Sequence, residues 1–323
     1  SVRVALLNRT RDLGDALKVL VEAFRAKGEE FADVIKMGRT QMQDAVPMTL
    51  GQEFGAYAAT LSEEIERLEN NVRLFLEVNM GATAIGTGIN SDPDYTPTCI
   101  KYLCEITGMP MVAAGNMIEA TNDTGAFIMY SSAVKRLAVK LSKISNDLRL
   151  LSSGPRTGFN EINLPPMQPG STIMPGKVNP VIPEVVSQIA FKVIGNDLTV
   201  TMAVEAAQLE LNAMEPIIVQ ALVENIEMLI NGMNTLRERC IVGITANKER
   251  CRQMVYNSIG LVTALNPYLG YEVSTELAKE ALENNKGVYD LVLEKGLMSK
   301  EELDNVLRPE NMVKPRKFIG KNV

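Results

Sequence analysis

The sequence predicts an all-α protein: a bundle of long helices (1–250) followed by a small C-terminal helical domain (251–323). Apolar residues make up 46% of the chain, yet only 5% are aromatic and tryptophan is absent, which favours aliphatic packing between helices. Apolar positions recur at intervals of three and four over long segments. Stretches of alternating apolar and polar residues are too short to predict a strand.

The order of elements follows from this periodicity and from its interruptions. We expect a first helix over 2–26 that ends near Gly28, a loop over 36–49 and one long helix over 50–80. The glycine-rich segment 81–90 is predicted to be a turn. We expect Gly86 and Gly88 to allow the backbone conformation of that turn and not to contact a ligand. The rest of the chain contains further segments with apolar residues at helical spacing, which we expect to be helices. These are 115–150, 181–208, 216–243, 247–259, 274–284, 287–295 and 299–307, and residues 265–271 interrupt the pattern.

Helices of this length exceed the usual length in globular proteins, and one subunit offers them too little core. Burial against the same helices of other copies would complete their packing, so we expect a homo-oligomer.

Composition excludes several classes of protein. The net charge is −6 and the only basic cluster lies in the last residues, which argues against a nucleic-acid-binding surface. No apolar run reaches the length needed to span a bilayer, and no signal peptide is visible. The cysteines form no CxxC pair, so reduced thiols in a cytoplasmic protein are the simplest interpretation.

Histidine is absent from the chain. Its absence excludes a Ser-His-Asp triad, a Cys-His dyad, an HExxH zinc site and a histidine general base within this polypeptide.

The segment QPGSTIMPGKVNP (168–180) carries more chemistry than a connector between helices requires. Ser171, Thr172, Lys177 and Asn179 fall within it. A phosphate-binding loop of the GxxxxGK[ST] type does not fit, because Val178 follows Lys177 and no strand precedes the segment. No GxSxG elbow is present either, although a Ser-Lys dyad is conceivable.

A third interpretation makes Ser171 a general base. A serine hydroxyl can act so only where backbone N–H groups, a cation and exclusion of water stabilise its anion. The glycines of the segment expose N–H groups, Lys177 supplies charge, and a helix that starts near Pro180 directs its N-terminus to the same place. Lys177 and Asn179 could also bind a substrate carboxylate.

Three segments carry a family resemblance. GSTIMPGKVNP resembles the GSSxMPxKxN signature of the aspartase/fumarase superfamily, and MGRTQMQDAVPMTLGQEF and GATAIGTGIN resemble two further blocks of that family in the same order. KVNPVIPEVVSQIAFKVIGNDLTVTMA and QLELNAMEP are similar to the aspartase branch. Gln41 stands where class II fumarases normally have histidine, which favours aspartase over fumarase.

The resemblance implies reversible deamination of L-aspartate to fumarate and ammonia by a homotetramer. Ser171 would abstract the C3 proton to give an aci-carboxylate intermediate, and Thr172 replaces the usual second serine. Lys177 and Asn179 match carboxylate-binding positions, and Thr40 and Gln41 match positions that contact substrate from a second subunit. No cofactor is expected, and no ligand cluster is visible for the divalent cation that activates some members.

Simpler interpretations and rival functions accompany this one. Thr40 could cap the segment that follows it, and Glu184, which matches a carboxylate that pairs with the family's histidine, could simply be an acid near a helix start. The family's N-terminal domain and its Ser-[Ser/Thr]-Asn-Asp segment do not occur in this sequence, so we expect little activity from a chain of this extent alone. A class II fumarase and an inactive oligomeric scaffold are the alternatives.

Overall fold

The computed structural model describes residues 1–168, 174, 176–284 and 286–313. The chain divides into two compact units. The first, the bundle unit, consists of Ser1–Ala23, Ala58–Arg149 and Pro166–Cys240. The second, the hairpin unit, consists of Phe24–Tyr57, Leu150–Pro165 and Ile241–Val323. Each unit is built from three separate segments of the chain. The domain boundary at residue 250 that the sequence suggests stays a prediction.

Helices dominate both units, which confirms the all-α prediction. The α-helices are α1 Val2–Glu30, α2 Leu50–Val72, α3 Tyr95–Thr107, α4 Glu119–Asn122, α5 Gly125–Leu151, α6 Val181–Glu205, α7 Glu215–Arg239, α8 Lys248–Asn257, α9 Val262–Leu269, α10 Tyr271–Asn284, α11 Val288–Glu294, α12 Lys300–Val306 and α13 Pro309–Met312. Short 3-10 helices cover Arg73–Leu76, Ile241–Gly243 and Ile259–Leu261.

The described strands form three two-stranded sheets. In the hairpin unit, β1 (Ile35–Thr40) pairs antiparallel with β2 (Gln43–Thr49), with a register shift between Met37 and Arg39. The other pairs are β3 (Glu77–Val78) with β4 (Val112–Ala113), parallel, and β5 (Ile162–Asn163) with β6 (Thr245–Ala246), antiparallel.

The core of the bundle unit is mainly aliphatic, as the composition predicts, with one aromatic group at its centre. The ring of Phe75 lies 5.1 Å from that of Phe127 and 5.2 Å from that of Tyr130, measured between centroids. The hydroxyl groups of Tyr130 and Thr10 share a buried hydrogen bond of 2.5 Å. Burial raises the pKa of Tyr130 to about 12, so this phenol stays neutral.

The core of the hairpin unit joins the C-terminal helices to the buried face of β1. Ile35 and Met37 pack with apolar residues of the helices after residue 250, among them Val255, Leu265 and Leu291. The C-terminal helices therefore support the hairpin directly.

The structure corrects three element predictions. Residues 36–49 form a β-hairpin rather than a loop. The sequence did not indicate the strand because β1 is buried over four consecutive residues and therefore lacks the alternation of apolar and polar residues that predicts a strand. The helix predicted over 50–80 ends at Val72, followed by a 3-10 turn and β3. The predicted break at 265–271 falls partly within α9, which contains Pro267.

Among the described helices, none combines the length and apolarity that a membrane span requires.

Candidate functional site

The hairpin places two of the predicted site residues at its tip. Thr40 pairs with Gln43, so Gln41 and Met42 form a two-residue turn. Both turn residues have left-handed backbones, with φ of 53° and 64°. This is the geometry of a type I′ hairpin turn, which normally favours glycine or asparagine. Thr40 and Gln41 are exposed at this tip and available to a ligand.

A buried cluster of charges lies directly behind the tip. The carboxylate of Glu161 is fully buried and forms ion pairs with two residues of β1: Oε2 lies 2.9 Å from Nζ of Lys36, and Oε1 lies 2.6 Å from Nη1 of Arg39. Lys36, with only 2% of its side chain exposed, also binds Glu53 at 2.6 Å. Two cations and two carboxylates thus balance in one cluster, as buried charges require.

Further contacts hold this cluster and the second strand. The guanidinium carbon of Arg39 lies 4.1 Å from the ring centroid of Phe159. On β2, the carboxylate of Asp44 accepts a 2.6 Å hydrogen bond from the hydroxyl of Ser258. Both strands of the hairpin are therefore tied to residues outside it.

The thiol of Cys251 lies beside the same cluster, with Sγ 3.5 Å from the carbonyl oxygen of Glu161. Burial, with a further contribution from the charge of Glu161, raises the pKa of Cys251 to about 12. The thiol is neutral near pH 7 and is no candidate nucleophile.

In the bundle unit, three predicted site residues gather at the start of α6. Lys177 is exposed and Asn179 is half-buried; both precede the helix, and Gly176 before them has φ of 82°. The helix begins at Val181 after Pro180, which provides no side-chain cap. The N–H of Val181 donates to the carbonyl of Asn179 at 2.9 Å, so what favours an anion here is the positive end of the helix dipole.

Glu184 lies in the first turn of α6 and is half-buried. Its Oε1 lies 3.9 Å from Nη2 of Arg149. Its position suits both interpretations offered by the sequence, an acid at a helix start and a supporting residue of the site.

Ser171 and Thr172 lie outside the described residues. Their assignment as catalytic base and neighbouring hydroxyl stays a prediction from the sequence. The described residues of their segment, 168, 174 and 176–180, belong to the bundle unit.

The glycine-rich segment 81–90 is a turn, as predicted. Gly86 and Gly88 have φ of 95° and 66°. A Cβ atom on Gly86 would lie 2.3 Å from backbone atoms of Ile118, so no other residue fits there. The amide N–H groups of both glycines donate to the carbonyl of Ala82, at 2.9 and 3.2 Å.

Within the part of the chain that the structure describes, no group of three or more acidic, cysteine or histidine side chains is arranged to hold a metal ion.

Sequence analysis missed the ionic support of the hairpin. Arg39 lies in a segment that was singled out, but its partner Glu161 is far along the chain and in no motif. The signal that could have identified the cluster is the placement of Lys36 and Arg39 in an otherwise apolar, buried strand, where cations need carboxylates.

Comparison with known proteins places the chain in a family. The family model described as Lyase matches residues 1–195, and the model described as Fumarase C C-terminus matches residues 261–314. An aspartate ammonia-lyase of Pseudomonas canavaninivorans is 60% identical over 98% of this chain and 67% of its own length. That of Escherichia coli K12 is 56% identical over 97% of this chain and 66% of its own length. The chain thus spans about two thirds of these relatives.

Two solved structures are also similar to this chain in sequence and fold. The fumarate lyase:delta crystallin of Brucella melitensis, bound to cobalt, is 54% identical, with a TM-score of 0.94 over 97% of this chain and 68% of that one. A class II fumarase of Schistosoma mansoni is 32% identical, with a TM-score of 0.91 over 98% of this chain and 69% of that one. The motifs, the fold and these matches establish that the chain belongs to the lyase family of the aspartase/fumarase superfamily.

Proposed function

We propose that the protein is an aspartate ammonia-lyase, a carbon–nitrogen lyase that converts L-aspartate reversibly to fumarate and ammonia. One observation carries this choice. Identity to aspartate ammonia-lyases is 55–60% over nearly the whole chain, against 32% to the class II fumarase.

In the proposed reaction, Ser171 as its alkoxide takes the proton from C3 of aspartate. The electron pair moves into the adjacent carboxylate and gives an aci-carboxylate, which Lys177 and Asn179 stabilise. When this intermediate collapses, the C2–N bond breaks, the C2=C3 double bond of fumarate forms and ammonia leaves. Two residues at the start of α6 support this scheme: the Lys177 ammonium is exposed to a ligand, and Asn179 lies just before the positive end of the helix dipole.

Thr40 and Gln41 are proposed to hold the substrate through neutral hydrogen bonds. A glutamine amide donates and accepts without changing charge, so binding through it does not depend on pH near neutrality. Thr172 is proposed to add a further hydroxyl contact, and Glu184 to support the start of α6.

A homotetramer is proposed from the surface of α6. Phe191, Leu198 and Met202 lie on one face at helical spacing and are each more than 60% exposed. Exposed apolar stripes of this kind mark contacts with other chains. The long helices of other copies would cover the stripe. The four free cysteines favour a reducing, cytoplasmic location.

The test is a substrate comparison on the full-length native protein. Appearance of fumarate is followed by its ultraviolet absorbance with L-aspartate and, in parallel, with malate. Turnover of aspartate without turnover of malate supports the proposal; the reverse preference identifies a fumarase, and turnover of neither supports a scaffold.

A further inference from the structure

We infer that Glu161 is a positioning residue of the candidate site: through Lys36 and Arg39 it fixes the hairpin tip on which Thr40 and Gln41 stand. The inference rests on the proposed function for its catalytic meaning. Its structural part depends only on contacts within the hairpin unit.

Glu161 is linked to the hairpin tip through β1. Arg39 immediately precedes Thr40, and Glu161 is the only carboxylate within 4.0 Å of the Arg39 guanidinium among the described residues. Lys36, three residues earlier on β1, binds the other oxygen of the same carboxylate. One buried group thus holds two points of the strand that leads into the turn.

The turn itself has an unusual backbone conformation. Gln41 and Met42 are non-glycine residues with positive φ. Such backbones persist only where surrounding contacts fix them. The ion pair of Arg39, the residue before Thr40, with Glu161 supplies such a contact next to the turn.

The backbone of Glu161 is itself held by hydrogen bonds on both sides. Its N–H donates to the carbonyl of Leu151 at 2.8 Å, and its carbonyl accepts from the N–H of Asn247 at 2.9 Å. The side chain of Asn247 donates to Oδ1 of Asn160 at 3.1 Å and of Asn163 at 3.0 Å. Residues on both sides of Glu161 are thereby fixed.

The buried groups of the cluster are charged rather than apolar. A buried ion pair adds little net stability compared with apolar groups of similar size. It does, however, fix the orientation of the two side chains that form it. The chain contains a matched case in the bundle unit: Glu64 is equally buried and binds Lys140 and Arg136, but borders no turn with positive φ. Glu64 provides a control for the loss of a buried carboxylate as such.

The experiment compares Glu161→Gln and Glu64→Gln in the full-length protein. Hydrogen exchange of the amides of residues 40–43 reports the rigidity of the tip, and kcat and KM with L-aspartate report its use. Thermal unfolding of both variants measures general stability. Arg39→Lys, which keeps the charge but loses the planar fork, serves as a second variant if Glu161→Gln does not fold.

We expect Glu161→Gln to speed exchange at 40–43 by about tenfold. We also expect it to lower kcat/KM by about 100-fold, the effect of a misplacement of about 1 Å. Glu64→Gln should melt at a similarly lowered temperature with exchange at 40–43 and kcat/KM near the wild-type values.

Two results would overturn the inference: exchange and kcat/KM unchanged in Glu161→Gln, or equal kinetic losses in the two variants, which would indicate a general loss of stability. A wild-type protein that does not turn over aspartate overturns the proposed function instead. The exchange measurement then decides the positioning role of Glu161 by itself.

Discussion

Nη1 of Arg39 lies 2.6 Å from Oε1 of the fully buried Glu161. This contact connects the residue next to the hairpin tip with a loop far along the chain. Because a buried charge cannot exchange its partner for water, the side chain of the arginine has one stable orientation. The position of the strand that carries this side chain is fixed as a result. We therefore expect the geometry of the candidate site to depend on a residue that need not touch the substrate.

The contact between α1 and α2 in the hairpin unit predicts opposite effects for two glycines of α2. A Cβ on Gly51 would lie 2.4 Å from the carbonyl oxygen of Gly28, whereas one on Gly55 meets nothing within 4 Å. Gly51→Ala should lower the free energy of unfolding by about 1–3 kcal/mol through overpacking. Gly55→Ala should raise it by about 0.5–1 kcal/mol, because alanine suits a helix interior better.

Chemical denaturation of the two variants and the wild type measures this difference. Equal effects of the two substitutions would show that the helices do not approach at Gly51.

Loss of the positive charge before α6 should weaken substrate binding. Lys177→Met keeps the length of the side chain and removes one charge-assisted hydrogen bond, so KM for aspartate should rise about 10- to 100-fold. Steady-state kinetics measure the change, and Lys101→Met, a substitution of an exposed lysine on α3, is the control. A KM that does not respond to Lys177→Met would remove this lysine from the proposed site.

Stability should fall at alkaline pH because of buried thiols. Burial raises the pKa of Cys240 from 9.0 to about 12. Between these values the unfolded chain releases the thiol proton and the folded chain keeps it, so the free energy of unfolding decreases as pH rises. Each such thiol contributes about 1.4 kcal/mol per pH unit in this range.

The contribution of Cys240 is isolated by comparing slopes. Denaturation of Cys240→Ala and of the wild type between about pH 8 and 10.5 should give a shallower decline for the variant. Parallel declines would mean that Cys240 does not titrate differently in the two states.

The exposed stripe of α6 predicts the effect of a charge within it. Leu198→Glu places a carboxylate at the centre of the proposed contact between copies, where it has no partner. Sedimentation velocity should show dissociation of the assembly, while Lys192→Gln, on a different face of the same helix, should leave it intact. A wild-type protein that sediments as a monomer would refute the homotetramer.

Sequence reasoning recovered what depends on local pattern and on motif. The long amphipathic segments, the role of Gly86 in a turn and the position of Lys177 before a helix all follow from neighbouring residues. The hairpin could not be predicted in this way. Four consecutive residues of β1 are buried, so this strand lacks the alternation of apolar and polar residues that indicates a strand. The pairing of Arg39 with Glu161 could not be predicted, since it depends on the tertiary fold.

The most direct test of the proposed function is fumarate formation from L-aspartate by the wild-type protein and by Ser171→Ala, with circular dichroism to confirm that both are folded. We expect turnover by the wild type and a loss of at least about 1,000-fold in kcat for the variant, because the base that takes the C3 proton is gone. Wild-type turnover that survives in Ser171→Ala would contradict the mechanism.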